Sequence, residues 1–84
     1  MKEVNMYYSG YIKEQYCFED ENGKRYCFKK ANNSLVYEYD LRNNTYVGTL
    51  FKVRYFVVSV GDKDELILSD LTFPKRDLVM KQAR

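Results

Sequence analysis

The fold of this chain is decided by one stretch, Tyr16-Cys17-Phe18-Glu19-Asp20-Glu21-Asn22-Gly23-Lys24-Arg25-Tyr26-Cys27-Phe28. The tripeptide Tyr-Cys-Phe occurs in it twice, with its copies starting at positions 16 and 26. Asn22-Gly23 lies between the copies and predicts a tight β-hairpin turn, because glycine accepts the positive φ that such turns require. The sequence therefore predicts two antiparallel strands joined at this turn.

Two registers are compatible with this hairpin. A two-residue turn would place Phe18 opposite Cys27. A three-residue loop over residues 21–23 gives instead the pairs Asp20–Lys24, Glu19–Arg25, Phe18–Tyr26, Cys17–Cys27 and Tyr16–Phe28. We favour the second register because its opposite-charge and aromatic pairs each stabilise a sheet by about 0.2–1 kcal/mol. It places all four aromatic residues of the hairpin on one face and both cysteines on the other.

The two cysteines would then lie directly opposite each other, where oxidation could join them as a cross-strand disulfide. The first residues, Met1-Lys2-Glu3-Val4-Asn5, lack the apolar block of a signal peptide, which favours a cytoplasmic location. In that compartment we expect two reduced thiols that pack as small hydrophobic groups.

Composition limits the functions that remain open. The 84 residues suffice for one domain with a modest core, and nine Tyr and five Phe with one Pro favour sheet over helix. A net charge of +2 does not by itself indicate a polyanion binder. No apolar run is long enough to span a membrane. With no His and two Cys, no metal site is predicted, and we expect no cofactor.

Period-two patterns predict further strands along the chain, over residues 6–15, 16–22, 24–30, 45–60 and 65–73. Gly10 indicates a bulge, and Tyr8 and Ile12 are expected to face inward. Residues 35–41 also alternate, so we favour a strand there over a short helix capped by Ser34. Beyond Phe56 both faces become apolar, which predicts that this part of the strand is buried.

These elements predict an all-β fold, a strongly curved antiparallel barrel of five to six strands. Gly10 and Gly48 provide bends, and closure would protect the edges of so aromatic a sheet. Residues 1–74 would form the single barrel domain. Residues 75–84 would form a basic tail or a short helix.

The order of these motifs is similar to that of a known family. Ser9-Gly10-Tyr11-Ile12-Lys13 looks like an opening strand, Tyr16-Cys17-Phe18 and Tyr26-Cys27-Phe28 fall in the second and third strands, and Gly48-Thr49-Leu50-Phe51 begins the fourth. Over residues 6–73 the chain resembles the OB-fold, and loosely the cold-shock-type domains. An SH3-like barrel is the alternative. The resemblance implies binding of single-stranded nucleic acid across the second and third strands.

The main functional hypothesis is therefore a non-enzymatic module that binds single-stranded DNA or RNA. The candidate residues are Tyr11, Lys13, Tyr16, Phe18, Arg25, Tyr26, Phe28 and Lys30. An exposed aromatic ring would contribute about 1–3 kcal/mol per stacked base. The competing interpretation is that Tyr16, Phe18, Tyr26 and Phe28 face inward and form the core, because Glu19 and Arg25 make the opposite face the wet one.

A second hypothesis is a protein-interaction module, an adaptor or inhibitor of the kind that phages and mobile elements encode. Its partner would be an unidentified protein, and the chain could act as a monomer or a homodimer. Tyr37, Tyr39 and Tyr46 would then be candidate contacts, since Tyr is enriched at interface cores. Catalysis is not predicted, because the sequence offers no nucleophile with a partner base.

Overall fold

Strands dominate residues 1–74, the part of the chain that the computed structural model describes. The strands are β1 (Lys2–Ile12), β2 (Gln15–Asp20), β3 (Arg25–Phe28), β4 (Lys30–Ala31), β5 (Leu50–Val60) and β6 (Lys63–Thr72). One short helix, α1 (Asn33–Glu38), and a 3₁₀ turn (Leu41–Asn43) connect β4 to β5. The mainly β class is confirmed. The tail predicted over residues 75–84 lies outside the described residues.

All six strands belong to one sheet with the order β3-β2-β1-β5-β6-β4. The neighbours pair antiparallel except β4 and β6, which run parallel with Lys30 beside Ile67 and Ala31 beside Leu68. The prediction of a purely antiparallel sheet is therefore wrong at this one pair. Lys29 alone separates β3 from β4, so two consecutive strands occupy the two ends of the order. No ladder joins β3 to β6 within residues 1–74, and the sheet is not closed.

The hairpin of β2 and β3 has the favoured register. Tyr16 pairs with Phe28, Cys17 with Cys27, Phe18 with Tyr26 and Glu19 with Arg25. The Asp20 carboxylate holds the turn, because its Oδ1 accepts hydrogen bonds from the backbone N–H groups of Asn22 and Lys24, both at 2.9 Å. Gly23 adopts a φ of 88°, as the three-residue loop requires.

A bulge in β1 changes which side chains face inward. The register with β2 shifts between Tyr8 and Gly10, and Gly10 has a φ of 126°. Tyr8 is buried as predicted, but beyond the bulge Tyr11 takes the inner position and Ile12 is exposed. The prediction that Ile12 faces inward is therefore wrong, because the extra residue reverses the alternation.

The core lies on one face of the sheet and contains three of the four hairpin aromatics, while the fourth, Tyr26, packs against it partly buried. The Phe18 ring is fully buried and lies 4.9 Å from the Tyr8 ring, 5.7 Å from Phe28 and 6.4 Å from Phe51, between centroids. The other buried residues of this cluster are Met6, Tyr16, Leu35, Leu41, Val53, Tyr55, Leu68 and Leu71.

Residues 33–38 form a helix, so the strand favoured over residues 35–41 is wrong. Asn32 rather than Ser34 is the N-cap, and its side-chain oxygen accepts a hydrogen bond from the backbone N–H of Ser34 at 3.1 Å. Leu35 is buried while Tyr37 is 84% exposed. The apparent period of two arose because Leu35 and Tyr39, one helical turn apart, both contact the core.

The hairpin of β5 and β6 extends past the rest of the sheet. Phe51, Val53 and Tyr55 are buried, as their alternation predicts. Residues 56–60, predicted to be buried, are instead exposed without exception. In β6 a second register shift, which leaves Ser69 without a partner in β5, places both Leu68 and Leu71 in the core. We call residues 56–66 the ribbon.

Candidate functional site

Three of the predicted stacking residues are not accessible. Tyr16, Phe18 and Phe28 are 4%, 0% and 0% exposed, and all three belong to the core. A ring without exposed area cannot stack on a base, so the hypothesis that these residues form a stacking platform is wrong. They are buried because the outer face of the hairpin carries Glu19 and Arg25, which keep that face in water.

Tyr11 is only partly buried and belongs to a cluster with Tyr16 and Arg42. The rings of Tyr11 and Tyr16 lie 4.9 Å apart. The Arg42 guanidinium lies 5.5 Å from the centre of the Tyr11 ring, and its Nε donates a hydrogen bond to the Tyr16 hydroxyl at 3.1 Å. This hydrogen bond raises the pKa of Arg42. The Tyr11 ring is thus held by a cation from the 3₁₀ turn.

Tyr26 is also partly buried, at the open edge of β3. Its ring lies 6.0 Å from the Tyr55 ring, and the Lys24 ammonium lies 5.2 Å from its centre. Its hydroxyl is 3.5 Å from a carboxylate oxygen of Asp20. Tyr26 therefore fills the gap between β3 and β5 rather than presenting a free face.

The predicted cations are exposed but lie apart. Lys13 lies in the turn between β1 and β2, where Lys13 and Glu14 both have positive φ, 51° and 64°. Arg25 lies opposite Glu19 on the outer face of the hairpin. Of the eight predicted site residues, Lys30 alone lines the cleft described next. The structure thus divides the predicted site between the core, the turns and this cleft.

A cleft of about 240 Å³ lies between the β3 end of the sheet and the ribbon. Its lining residues are Gln15, Cys27, Lys29, Lys30, Lys63, Asp64, Glu65 and Leu66. It opens because β6 pairs with β4 only at Ile67 and Leu68, while residues 63–66 have no partner on that side in the described chain. Two strand edges with free backbone groups, those of β3 and β6, therefore border the cleft.

Cys17 and Cys27 form a disulfide. The expectation of two reduced thiols is therefore wrong, although the favoured register had placed the two residues opposite each other. Their Cα atoms are 4.1 Å apart, since the residues are direct cross-strand neighbours. Cys17 is buried and Cys27 lines the cleft, so the disulfide forms part of the cleft wall.

A second cavity, of about 270 Å³, lies beside α1 and is lined by Asn33, Val36, Tyr37, Asp40, Arg42 and Asn43. The Asp40 carboxylate in this cavity already accepts hydrogen bonds within the chain. Asp40 accepts hydrogen bonds from the Asn43 amide at 2.6 Å and from the Thr45 hydroxyl at 2.7 Å. This cavity offers fewer free charged groups than the cleft does.

Three tyrosines that pack in or against the core have a raised pKa. Burial raises the pKa of Tyr8, Tyr39 and Tyr55, so their hydroxyls stay protonated. The hydroxyl of Tyr8 donates to the Leu41 carbonyl at 2.7 Å and that of Tyr39 donates to the Leu71 carbonyl at 3.1 Å. These groups hold loops to the sheet.

Within residues 1–74 no group of three or more carboxylate, thiol or imidazole side chains is placed to hold a metal ion. Neither helical segment of the described chain has the length and apolar character to cross a bilayer.

Comparisons with protein-family models, with curated proteins and with solved structures find no match to this chain. The function is therefore inferred from the cleft and the exposed surfaces of the chain itself.

Sequence reasoning missed Lys63 and Leu66 as parts of the cleft. These residues lie more than thirty positions from Lys29 in the sequence, and they meet it because β4 pairs with β6. No local pattern carries this pairing. Lys29-Lys30 next to the hairpin was the one local signal for charge at this place.

Proposed function

We propose that the chain is a non-enzymatic binding module with an OB-like, partly open barrel, and that it binds single-stranded DNA or RNA in the cleft. The observation that carries this proposal is the convergence of Lys29 and Lys30, at the junction of β3 and β4, with Lys63 of the ribbon across one cleft. Single-stranded backbones are bound in grooves lined by such cations.

The strand order supports the OB-like architecture. If β3 and β4 are counted as one strand bent at Lys29, five strands remain, and β1 pairs with both β2 and β5. The bent third strand reaches β6 through its second half. A five-stranded, partly open barrel is the OB arrangement, and its ligands bind beside the second and third strands and the loops near them.

The burial of the hairpin aromatics determines which kind of binding we propose. With Tyr16, Phe18 and Phe28 in the core, phosphate contacts rather than base stacking supply the free energy. Asp64 and Glu65 also line the cleft and oppose the lysines. We therefore expect weak binding with little sequence preference. Neutralising three phosphates on a single strand gives a slope of about −2 in a plot of log affinity against log salt.

Fluorescence anisotropy with labelled mixed-sequence single-stranded DNA and RNA, at low and at physiological salt, tests this proposal. The variant with Lys29, Lys30 and Lys63 all changed to Gln should lose binding and its salt dependence. The matched control changes three exposed or partly exposed lysines outside the cleft, Lys2, Lys24 and Lys52, to Gln. No binding by the unaltered chain at low salt would refute the proposal, and equal loss in the two variants would show that only net charge matters.

The edge of β3, which has no partner strand within residues 1–74, favours a second candidate, the addition of an extended peptide as a strand in the same cleft. Main-chain hydrogen bonds would then supply affinity, and salt would have little effect. A protein partner retained at high salt and lost with Leu66→Arg, but kept by the triple Gln variant, would favour this candidate over nucleic acid.

A further inference from the structure

The ribbon exposes apolar side chains on both of its faces. Phe56, Val57, Val58 and Val60 are 40%, 43%, 39% and 55% exposed. Residues 56–60 of β5 pair with β6 on one side, whereas β1 reaches β5 only as far as Tyr55, opposite Lys2. Within residues 1–74, the other edge of residues 56–60 therefore has no strand beside it. Two-stranded hairpins are marginally stable in water, so this segment lacks the packing that a third strand would provide.

The two edges of the ribbon differ in charge. The β6 edge carries Lys63, Asp64 and Glu65, and charged side chains are a common protection of an open edge against pairing. The β5 edge carries Phe-Val-Val-Ser-Val at positions 56–60 and no charge at all, in a chain with 31% charged residues. One edge is thus protected, and the other has the composition of a central strand.

The strand that would complete this edge must be extended, apolar and uncharged. Residues 56–60 themselves meet this description, since two copies in antiparallel alignment bring no like charges together. With the pairing centred on Val58, the middle of the free segment, Phe56 lies opposite Val60 of the second copy and Val58 lies opposite its own equivalent. Alternation places Phe56, Val58 and Val60 on one face, so six apolar side chains become neighbours.

We propose that this chain forms a homodimer in which residues 56–60 of β5 pair antiparallel with the same residues of a second copy. The two six-stranded sheets are then continuous through this edge. The cleft lies on the other edge of the ribbon, where Lys63 and Leu66 face β3 and β4. Dimerisation therefore leaves the cleft open, and the two proposals can fail independently.

Introducing a charge at Val58 tests the dimer and its register together. Val58→Lys and Val58→Glu each place like charges opposite one another, so each variant alone should raise the dimer dissociation constant by about tenfold or more. An equimolar mixture of the two variants pairs opposite charges, and dimers should reappear. Sedimentation velocity across a wide range of protein concentrations measures all three samples. The control is Val47→Lys, which alters a 48% exposed valine outside the ribbon and should leave the dimer intact.

A wild-type chain that stays monomeric at every concentration overturns the proposal, as does a dimer that both Val58 variants leave unchanged. If the charged variants fail to fold, Val58→Cys replaces them. In the proposed register its thiol faces its own equivalent within disulfide reach, and mild oxidation should give a covalent dimer on a non-reducing gel. A wild-type dimer without this cross-link refutes the pairing at Val58.

Discussion

The two halves of β5 are both rich in apolar residues, but their environments are opposite. Val53 and Tyr55 lie in the part of the strand that has β1 on one side and β6 on the other, and they are buried together with Phe51, which pairs with β1. Residues 56–60 are at least as apolar, but within residues 1–74 they pair with β6 alone and are all exposed. The difference shows that the elements covering a face of the strand, and not the hydrophobicity of the segment alone, determine whether its side chains leave water: Phe18 and Phe28 pack on Phe51 and Tyr55.

The largest difference between the core and the ribbon should appear in paired truncations. Phe18→Ala removes a fully buried ring and should lower the free energy of unfolding by about 3–5 kcal/mol. Phe56→Ala removes a ring that is 40% exposed and should cost under about 1 kcal/mol at low protein concentration. Urea unfolding followed by circular dichroism measures both variants.

Because the free-energy cost of Phe18→Ala is comparable to the whole stability of so small a domain, Phe18→Leu provides a milder comparison. Equal losses at positions 18 and 56 in dilute protein would contradict the contrast between core and ribbon. A loss at position 56 that grows with protein concentration would instead agree with the proposed dimer.

The disulfide adds a second difference between the core and the ribbon, because it joins β2 to β3 covalently while the ribbon contains no cysteine. Cys17 and Cys27 close a loop with a sequence separation of 10, for which the chain-entropy model gives about 2–3 kcal/mol. Unfolding with and without reductant should differ by this amount. The double variant Cys17→Ala/Cys27→Ala should unfold like the reduced protein and should no longer respond to reductant. No difference between oxidised and reduced protein would contradict this prediction.

The smallest effect concerns Tyr8, whose hydroxyl holds the 3₁₀ turn to the sheet. Tyr8→Phe leaves the Leu41 carbonyl without its donor and should cost about 1–2 kcal/mol. Burial raises the pKa of Tyr8 in the folded chain, so the protonated form is favoured there. The stabilisation is therefore complete at pH values below the pKa of a tyrosine in the unfolded chain, about 10. It is lost as the pH rises from there through the raised pKa of Tyr8 in the folded chain.

Unfolding free energies measured from neutral pH to above pH 10 test this linkage. The decline at alkaline pH should be less steep in Tyr8→Phe than in the unaltered chain. A residual decline is expected, because burial also raises the pKa of Tyr39 and Tyr55. Identical slopes in the two proteins would show that Tyr8 ionises equally easily in the folded and unfolded chains.

The parts of the fold that sequence reasoning predicted well are local. The register of β2 and β3 follows from Asn22-Gly23 and from the pairs that one loop length brings together, all within thirteen residues. The mainly β class follows from the aromatic composition. The alternation of Phe51, Val53 and Tyr55 is likewise contained in one short window.

The wrong predictions have physical causes that a short stretch of sequence does not contain. The bulges at Gly10 and near Ser69 reverse the alternation, and their exact positions depend on the partner strands. Leu35 of α1 and Tyr39, the residue that caps its C-terminus, satisfy a period of two as well as the helical period. The burial of Phe28 and the exposure of Val58 depend on which elements cover them. The cleft depends on a parallel pairing between residues more than thirty positions apart.

The single residue Lys29, which separates β3 from β4, has a mechanical consequence. The chain passes there from one end of the strand order to the other, and only two residue pairs, Lys30 with Ile67 and Ala31 with Leu68, hold β4 to the sheet. This parallel ladder is the shortest in the described sheet, whereas β1 pairs with each of its two neighbours over six residue pairs. Thermal fluctuations should therefore separate β4 from β6 first. Among the hydrogen-bonded amides of the sheet, those of this ladder should exchange with solvent first.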